Sequence, residues 1–517
     1  RFPLDSTVWF FLTTSPADAL ASVGWGEGLM GLMGTAMITA LISVVFHLLY
    51  RDAFRPCNER KRWPIVIEAL LLAALFLPIR GGVTVSSMNT GKAYFSQRTV
   101  INHAAVNPLF SFMESMSHQE DFASQYRFMD DVRAHFLVYD FNKPTGNHNT
   151  TNVVNIDRNN LPDVYLIILE SFSDTVMKAR TPDMQGRMAE VTPQLNALKR
   201  EGVYFSRFYA NSFRTDRGLV SILQGYPAPS TVSLMKYPKK TAAIPSLAAH
   251  LAKWSYKLQY YYGGDADFTN MRSFLINQGF EDITSDVDFP VADRLSKWGV
   301  PDHLLFAHVK DRLTAYYKNA PTNYPYLRVI QTSSSHEPFD VPYHRLRDKT
   351  LNAFAYADSC VGNFVSWLRQ SPRWKQSLVI IVPDHLGAWP KNADNFKPWR
   401  FHIPMIWTGG CVKEPCVIDT LASQQDLAAT LLGQLGIDAN DMTFSKDIFD
   451  AAIPHYAFFL MNDGIGLIDR GNTMIYDNKL GRTVVDEGPE KGKNLRRGQA
   501  LLQVLFDDIA HRGTQKK

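Results

Sequence analysis

Cysteine is scarce, with 4 in 517 residues, and that excludes a fold stapled by disulfides. Cys411 and Cys416, in GGCVKEPC, leave two options: a small closed loop in an oxidising compartment, or free thiols. Zinc is disfavoured there because no second cysteine pair exists. An excess of one charge is missing too. Lys and Arg number 54 against 50 Asp and Glu, a net charge of +4. A nucleic-acid binder would carry a basic face or stripe, so no nucleic-acid partner is expected. No internal repeat or low-complexity segment is present. The chain begins with Arg rather than Met, which points to a processed or truncated form.

What is present is the composition of a folded protein, 45% apolar and 12% aromatic, with a length that calls for more than one part. Residues 29–50 are an uncharged apolar run carrying Gly31, Gly34, Ala36 and Ala40. Its length matches the ~20 residues that cross a hydrocarbon core, and small residues suit helix packing in lipid. A second run, 64–79, is shorter and contains Glu68, but Trp63 can anchor it at the interface. Between them lies RDAFRPCNERKR (51–62), with 5 basic and 2 acidic residues. The positive-inside rule puts that loop in the cytoplasm and everything after Arg80 outside it. The expected organisation is a transmembrane region over 1–80, a juxtamembrane connector over 81–160, and an extracytoplasmic domain over 161–517. Within the connector, 107–116 is amphipathic and suits a membrane surface or a protein face equally. Residues 141–160 read as a polar linker.

From residue 161 onward strands and helices alternate, which predicts an α/β domain with a mostly parallel sheet. Strands are expected at 164–169, 203–209, 257–262, 327–332, 378–382 and 403–407. Helices are expected at 192–200, 244–254, 268–278, 301–317, 351–368 and 423–435. After about 452 the pattern changes to short strands and a final helix near 492–509, a small antiparallel sheet appended to the domain.

The chemistry concentrates at strand ends. LVIIVPDH (378–385) is a continuous apolar run that stops at Asp384 and His385. Such runs mark strands buried on both faces, and open α/β sheets bind ligands at their carboxyl ends. VYLIIL (164–169) ends in the same way on Glu170. Two carboxylates and an imidazole at one sheet edge can hold a divalent cation. In NSFRTDRG (211–218), Thr215 follows a strand and opens a helical pattern. Beside a cation its hydroxyl can serve as a nucleophile; on the residues alone, the simpler reading of Thr215 or Ser212 is an N-cap, and that reading prevails.

In chain order, strand–Glu170, Thr215 in RTDRG, SSSHEP around His336, and strand–Asp384-His385-Leu386-Gly387 resemble the lipoteichoic acid synthase-like branch of the sulfatase/alkaline phosphatase superfamily. The resemblance runs from about 161 to 438. It implies an α/β sandwich with the active site at strand carboxyl ends. It also implies one divalent cation, manganese first with magnesium or zinc as alternatives, held by Glu170, Thr215, Asp384 and His385. Thr215 would be the nucleophile, and His336 would contact the phosphate or leaving group.

Two departures stand out. The Gram-positive synthases carry a Trp and an Arg where this chain reads DFTNMR (267–272), with Thr269 and Met271 at those positions. Arg272, one place later, and Asn270 are left as the substrate-binding candidates there. The classical sulfatases use a Cys or Ser that is oxidised to an aldehyde, and Thr215 cannot be converted in that way. Asp302 in WGVPD reads as a helix cap. His402 is a minor candidate for a second metal ligand.

The resemblance therefore implies a multi-pass enzyme of the bacterial cytoplasmic (inner) membrane with its catalytic domain extracytoplasmic or periplasmic. It would move glycerol phosphate from phosphatidylglycerol through a phospho-threonine to a glycan or lipid acceptor. Phosphoethanolamine transfer, or hydrolysis of phosphate or sulfate esters, are the alternatives.

Overall fold

Strands β1 (Asp163–Leu169) and β6 (Ser377–Pro383) are buried along their whole length and lie side by side in the sheet. In this computed structural model the described residues are 63–81, 86–117, 120–142, 151–157, 160–296, 298–318, 324–387, 389–391, 393–462 and 464–514, with scattered positions between 33 and 48. The chain divides into two units, 1–90 with 104–120, and 91–103 with 121–517.

The larger unit is built on an 8-stranded sheet. Its remaining strands are β2 (Val203–Phe205), β3 (Lys257–Tyr262), β4 (Asp282–Thr284), β5 (Tyr326–Gln331), β7 (Met405–Thr408) and β8 (Cys416–Ile418). The spatial order is β8-β2-β7-β6-β1-β5-β3-β4. All pairings are parallel except those of β7, which runs antiparallel to both neighbours.

Residues alternate between the two faces of the sheet, as the strand period of two requires. Val164, Leu166 and Ile168 pack with α2 (Thr215–Gln224), α3 (Leu247–Lys253) and α6 (Asp426–Gln434). Tyr165, Ile167 and Leu169 face α1 (Pro193–Glu201), α4 (Asp302–Lys318) and α5 (Lys349–Leu368). Apolar burial on both faces is why these strands read as unbroken runs.

The C-terminal change of pattern is an antiparallel 4-stranded sheet of β9 (Ala457–Met461), β10 (Gly464–Ile468), β11 (Thr473–Asp477) and β12 (Arg482–Glu487). Helix α7 (Lys493–His511) buries Leu501 and Leu505 in the same core as Ile465 and Leu467.

Several boundaries differ from the sequence reading. The single strand expected over 203–209 is two. Ser206 donates its N–H to Ile418 O at 2.8 Å, and Phe208–Tyr209 then leaves the main sheet to pair with Ala422–Ser423. That second strand delays α6 to Asp426. Residues 403–407 begin as a strand only at Met405, because Pro404 has no N–H to offer the ladder. The helix expected over 268–278 is interrupted at Thr269 and Asn270, both with positive φ, and continues as Met271–Asn277. Cys411 and Cys416 are free thiols, so the disulfide option is not taken; Cys411 Sγ lies 3.0 Å from Ser377 O.

In the smaller unit, the second apolar run forms the helices Trp63–Ala74 and Phe76–Arg80, with Leu70, Leu71 and Leu72 exposed. The first run, 29–50, lies largely outside the described residues, as does the 51–62 loop. Among the described residues no helix is long and apolar enough to cross a membrane. The amphipathic stretch near 107–116 is the helix Pro108–Ser117.

Candidate active site

Register places the site. Leu169 pairs with Pro383, and Asp384 N donates to Leu169 O at 3.1 Å, so Glu170 and Asp384 leave the sheet as neighbours. On the other side of β1, Thr332 N donates to Ile168 O at 3.0 Å, so the SSSHEP loop leaves at the same edge. Three adjacent strands thus deliver Glu170, the His336 loop and Asp384-His385 to one end.

Ser171, with φ 64, turns the chain after β1. Its N–H donates to Asp384 Oδ1 at 2.9 Å and its Oγ to Glu170 Oε1 at 2.5 Å. Gly387 is required beside it, since a Cβ there would lie 2.3 Å from the Ser171 Cβ. Gly218 has the same role for α2: a Cβ would lie 2.4 Å from Asp384 O. The helix therefore packs directly onto the Asp384 backbone and brings Thr215 in with it.

Thr215 is not an N-cap. The capping position is Arg214, in extended conformation and with no side-chain cap hydrogen bond. The Thr215 hydroxyl instead donates to Glu170 Oε2 at 3.2 Å and lies 3.4 Å from His385 Nε2. His385 Nε2 is 3.7 Å from Glu170 Oε1 and 3.5 Å from Asp384 Oδ2. Its Nδ1 donates to Leu386 O at 3.0 Å, which leaves the Nε2 lone pair facing the carboxylates.

Glu170, Asp384 and His385 are all buried, and one ligand atom from each lies within 4.8 Å of the others. Burial, reinforced by Asp384, pushes Glu170 up to about 7, against the opposing pull of His385 and His336. Burial likewise raises Asp384 to about 6 and lowers His385. Asp384 Oδ2 is buried with no hydrogen-bond partner. Crowded buried carboxylates, an orphaned carboxylate oxygen and an outward imidazole lone pair fit a divalent cation.

The other candidates are placed as follows. His336 is half-buried, and its Nδ1 donates to Glu337 O at 3.0 Å. Its charge reaches Glu170. Asn270 is buried, and its Oδ1 accepts from Gly91 N at 3.1 Å. Arg272 Nε donates to Asp267 Oδ1 at 2.6 Å. His402 is engaged by Ser206 O at 2.8 Å and by Asp174 Oδ2 at 3.4 Å, and does not join the Glu170 cluster.

Asp302 caps a different segment from the one expected. Its Oδ1 accepts from Ser333 N at 2.9 Å and Ser334 N at 3.3 Å, which fixes the start of the His336 loop. Supporting residues with little signal in the sequence complete the site. Ser335 Oγ donates to Glu170 O at 2.6 Å, and Gln424 Nε2 donates to Pro383 O and Asp384 O at 2.7 and 2.6 Å. Trp298 packs against His336, with ring centroids 4.1 Å apart and the planes tilted by 43°, and its Nε1 donates to the same Glu337 O at 2.6 Å.

Residues 162–437 match the family described as Sulfatase, more than half of the chain. The chain belongs to the sulfatase family. Among its relatives, phosphoglycerol transferase I of Xanthomonas axonopodis pv. citri is 24% identical over 330 residues, 59% of this chain and 44% of that protein. Lipoteichoic acid synthase of Staphylococcus saprophyticus is 23% identical over 385 residues, 67% of this chain and 56% of that protein. The matches thus span about half the length of these curated relatives. The relatives agree with the lipoteichoic acid synthase-like branch that the motifs implied. Two solved structures share the fold. A Vibrio parahaemolyticus protein of the alkaline phosphatase superfamily has a TM-score of 0.64 at 22% identity, covering 76% of this chain and 99% of that one. Lipoteichoic acid synthase LtaP of Listeria monocytogenes has a TM-score of 0.57 at 20% identity, covering 73% and 98%.

Proposed function

We propose that this sulfatase-family chain is a membrane-anchored, metal-dependent phosphotransferase that acts outside the cytoplasm. It takes glycerol phosphate from phosphatidylglycerol and passes it to a glycan or lipid hydroxyl. The observation that carries the reading is the Thr215 hydroxyl at the start of α2, 3.2 Å from a buried Glu170 and 3.4 Å from His385. A threonine there supports a phosphoryl route and disfavours the aldehyde chemistry of sulfate-ester hydrolysis. The names of the relatives, a phosphoglycerol transferase and a lipoteichoic acid synthase, support the choice of headgroup.

Glu170, Thr215, Asp384 and His385 would hold the cation, manganese with magnesium or zinc as alternatives; when bound, it supplies Lewis acidity and a lower hydroxyl pKa. Glu170 Oε2, 3.2 Å from the Thr215 hydroxyl, is placed to receive its proton. The Thr215 oxygen forms a bond to the donor phosphorus, and the bond from phosphorus to the diacylglycerol oxygen breaks. His336 gives that oxygen its proton, and diacylglycerol leaves. An acceptor hydroxyl then attacks the phospho-Thr215 diester, and the Thr215 oxygen leaves and is reprotonated. The apolar runs at 29–50 and 64–79 give such an enzyme a reason to sit at the bilayer that holds its donor.

The test is release of diacylglycerol from vesicles of phosphatidylglycerol, compared with phosphatidylethanolamine, by the full chain with manganese. Thr215-dependent release from phosphatidylglycerol is expected. Release from phosphatidylethanolamine alone would change the headgroup, and release from neither would end the lipid reading.

A further inference from the structure

A phosphodiester anion needs a cation of the protein's own. Arg272, the candidate that the family resemblance put forward, already spends its Nε on Asp267 at 2.6 Å. Arg400 is in the opposite condition. It lies in the helical turn Pro398–Phe401, following the Asp384-His385 loop in the chain. Its Nη1 donates to Leu386 O at 2.6 Å and its Nε to Asn395 Oδ1 at 3.3 Å. Leu386 O is also the acceptor for His385 Nδ1, so one carbonyl oxygen ties Arg400 to a site ligand.

Both partners of Arg400 are neutral oxygens, and no carboxylate pairs with it among the described residues. The side chain is nonetheless part-buried, and desolvation pushes the guanidinium down to about 10. Its charge also reaches His385. A part-desolvated cation with only neutral partners still has charge left to compensate. A guanidinium has five N–H donors in a planar fork, and two are used here, so three remain. That fork matches two oxygens of a phosphate.

We propose that Arg400 is the phosphate-binding cation of this site, gripping the donor phosphodiester with the N–H groups that Leu386 and Asn395 leave free. The inference rests on the phosphotransfer reading above and adds the residue that recognises the anion. Arg400 thereby stands beside the metal site, sharing the Leu386 O acceptor with His385, without being one of its ligands.

Calorimetric titration of the manganese-loaded full chain with glycerol phosphate, and separately with inorganic phosphate, tests it. Arg400→Gln should weaken glycerol phosphate binding on the order of 10- to 100-fold, the range for a charged hydrogen bond, and Arg400→Lys should weaken it less. Manganese affinity and the thermal midpoint should stay at the wild-type values. Unchanged glycerol phosphate binding in Arg400→Gln would overturn the assignment. So would an equal loss of manganese affinity, because Arg400 would then act only through Leu386 and His385. A loss confined to inorganic phosphate would also overturn it, as the mark of a free-phosphate site. If the wild type binds neither anion, the phosphotransfer reading fails and the inference falls with it.

Discussion

A Cβ on Gly218 would lie 2.4 Å from the carbonyl oxygen of Asp384. Helix α2 and the Asp384-His385 loop are therefore in backbone contact, and the position of Thr215 depends on a hydrogen atom one turn away. In an unconstrained helix Gly→Ala gains about 1 kcal/mol. Here the clash is with backbone, which cannot swing aside. Gly218→Ala should cost about 1–3 kcal/mol in denaturant unfolding and lower transfer by more than about tenfold. A stabilised Gly218→Ala variant with full activity would show that the contact does not position Thr215.

Stability should depend on pH in an acid-favouring direction when metal is removed. Glu170, Asp358 and Asp447 are each raised to about 7 and Asp384 to about 6, in every case with burial as the leading cause. A carboxyl with a raised folded pKa binds more protons folded than unfolded between about pH 4 and 7, so stability falls as pH rises through that window. The thermal midpoint of the metal-free chain should drop from pH 5 to pH 8. Manganese held there would compete with protons at Glu170 and Asp384, so its stabilising effect should be larger at pH 8 than at pH 5. Asp358, whose carboxylate accepts from Gln194 and Leu195 N–H at 3.1 and 2.8 Å, is remote from the cluster in function. Asp358→Asn should flatten part of the pH slope and leave the manganese effect intact. A midpoint that rises towards pH 8 without metal would contradict the assignment of these carboxyls.

Trp298 and His336 donate to one oxygen, Glu337 O, at 2.6 and 3.0 Å. The shared acceptor takes up the Nδ1–H of His336 and leaves Nε2 to carry the proton given to the leaving oxygen, which makes Trp298 a positioning residue. Trp298→Phe keeps the ring and loses the donor; kcat should fall several-fold with KM little changed. The loss should vanish with a p-nitrophenyl phosphodiester, whose leaving group needs no proton. A loss of equal size on both substrates would mean that Trp298 serves packing alone.

Much of this site was legible because it lies at the ends of strands that are buried on both faces. An unbroken run such as 164–169 or 378–382 ends where the sheet ends, so Glu170 and Asp384-His385 mark an edge in the sequence itself. The β9–β12 sheet was legible because its strands are short and separated by turns. Gln424, Trp298 and Asp302 were not legible in their roles, since each acts on a segment distant in sequence. The split of 203–209 was hidden for a similar reason: Ile418 O, from β8, draws off the Ser206 N–H. Arg400 carries no local motif, and what distinguishes it is the absence of a carboxylate partner among the described residues, a property of the folded chain.

The central claim is that Thr215 carries the headgroup. Intact mass spectrometry of the full chain after brief incubation with manganese and phosphatidylglycerol tests it most directly, with diacylglycerol followed in the same samples. An increment of one glycerol phosphate is expected, localised to Thr215, missing in Thr215→Ala, and decaying when acceptor is added. Diacylglycerol release that persists in Thr215→Ala, or an adduct on another residue, would contradict it.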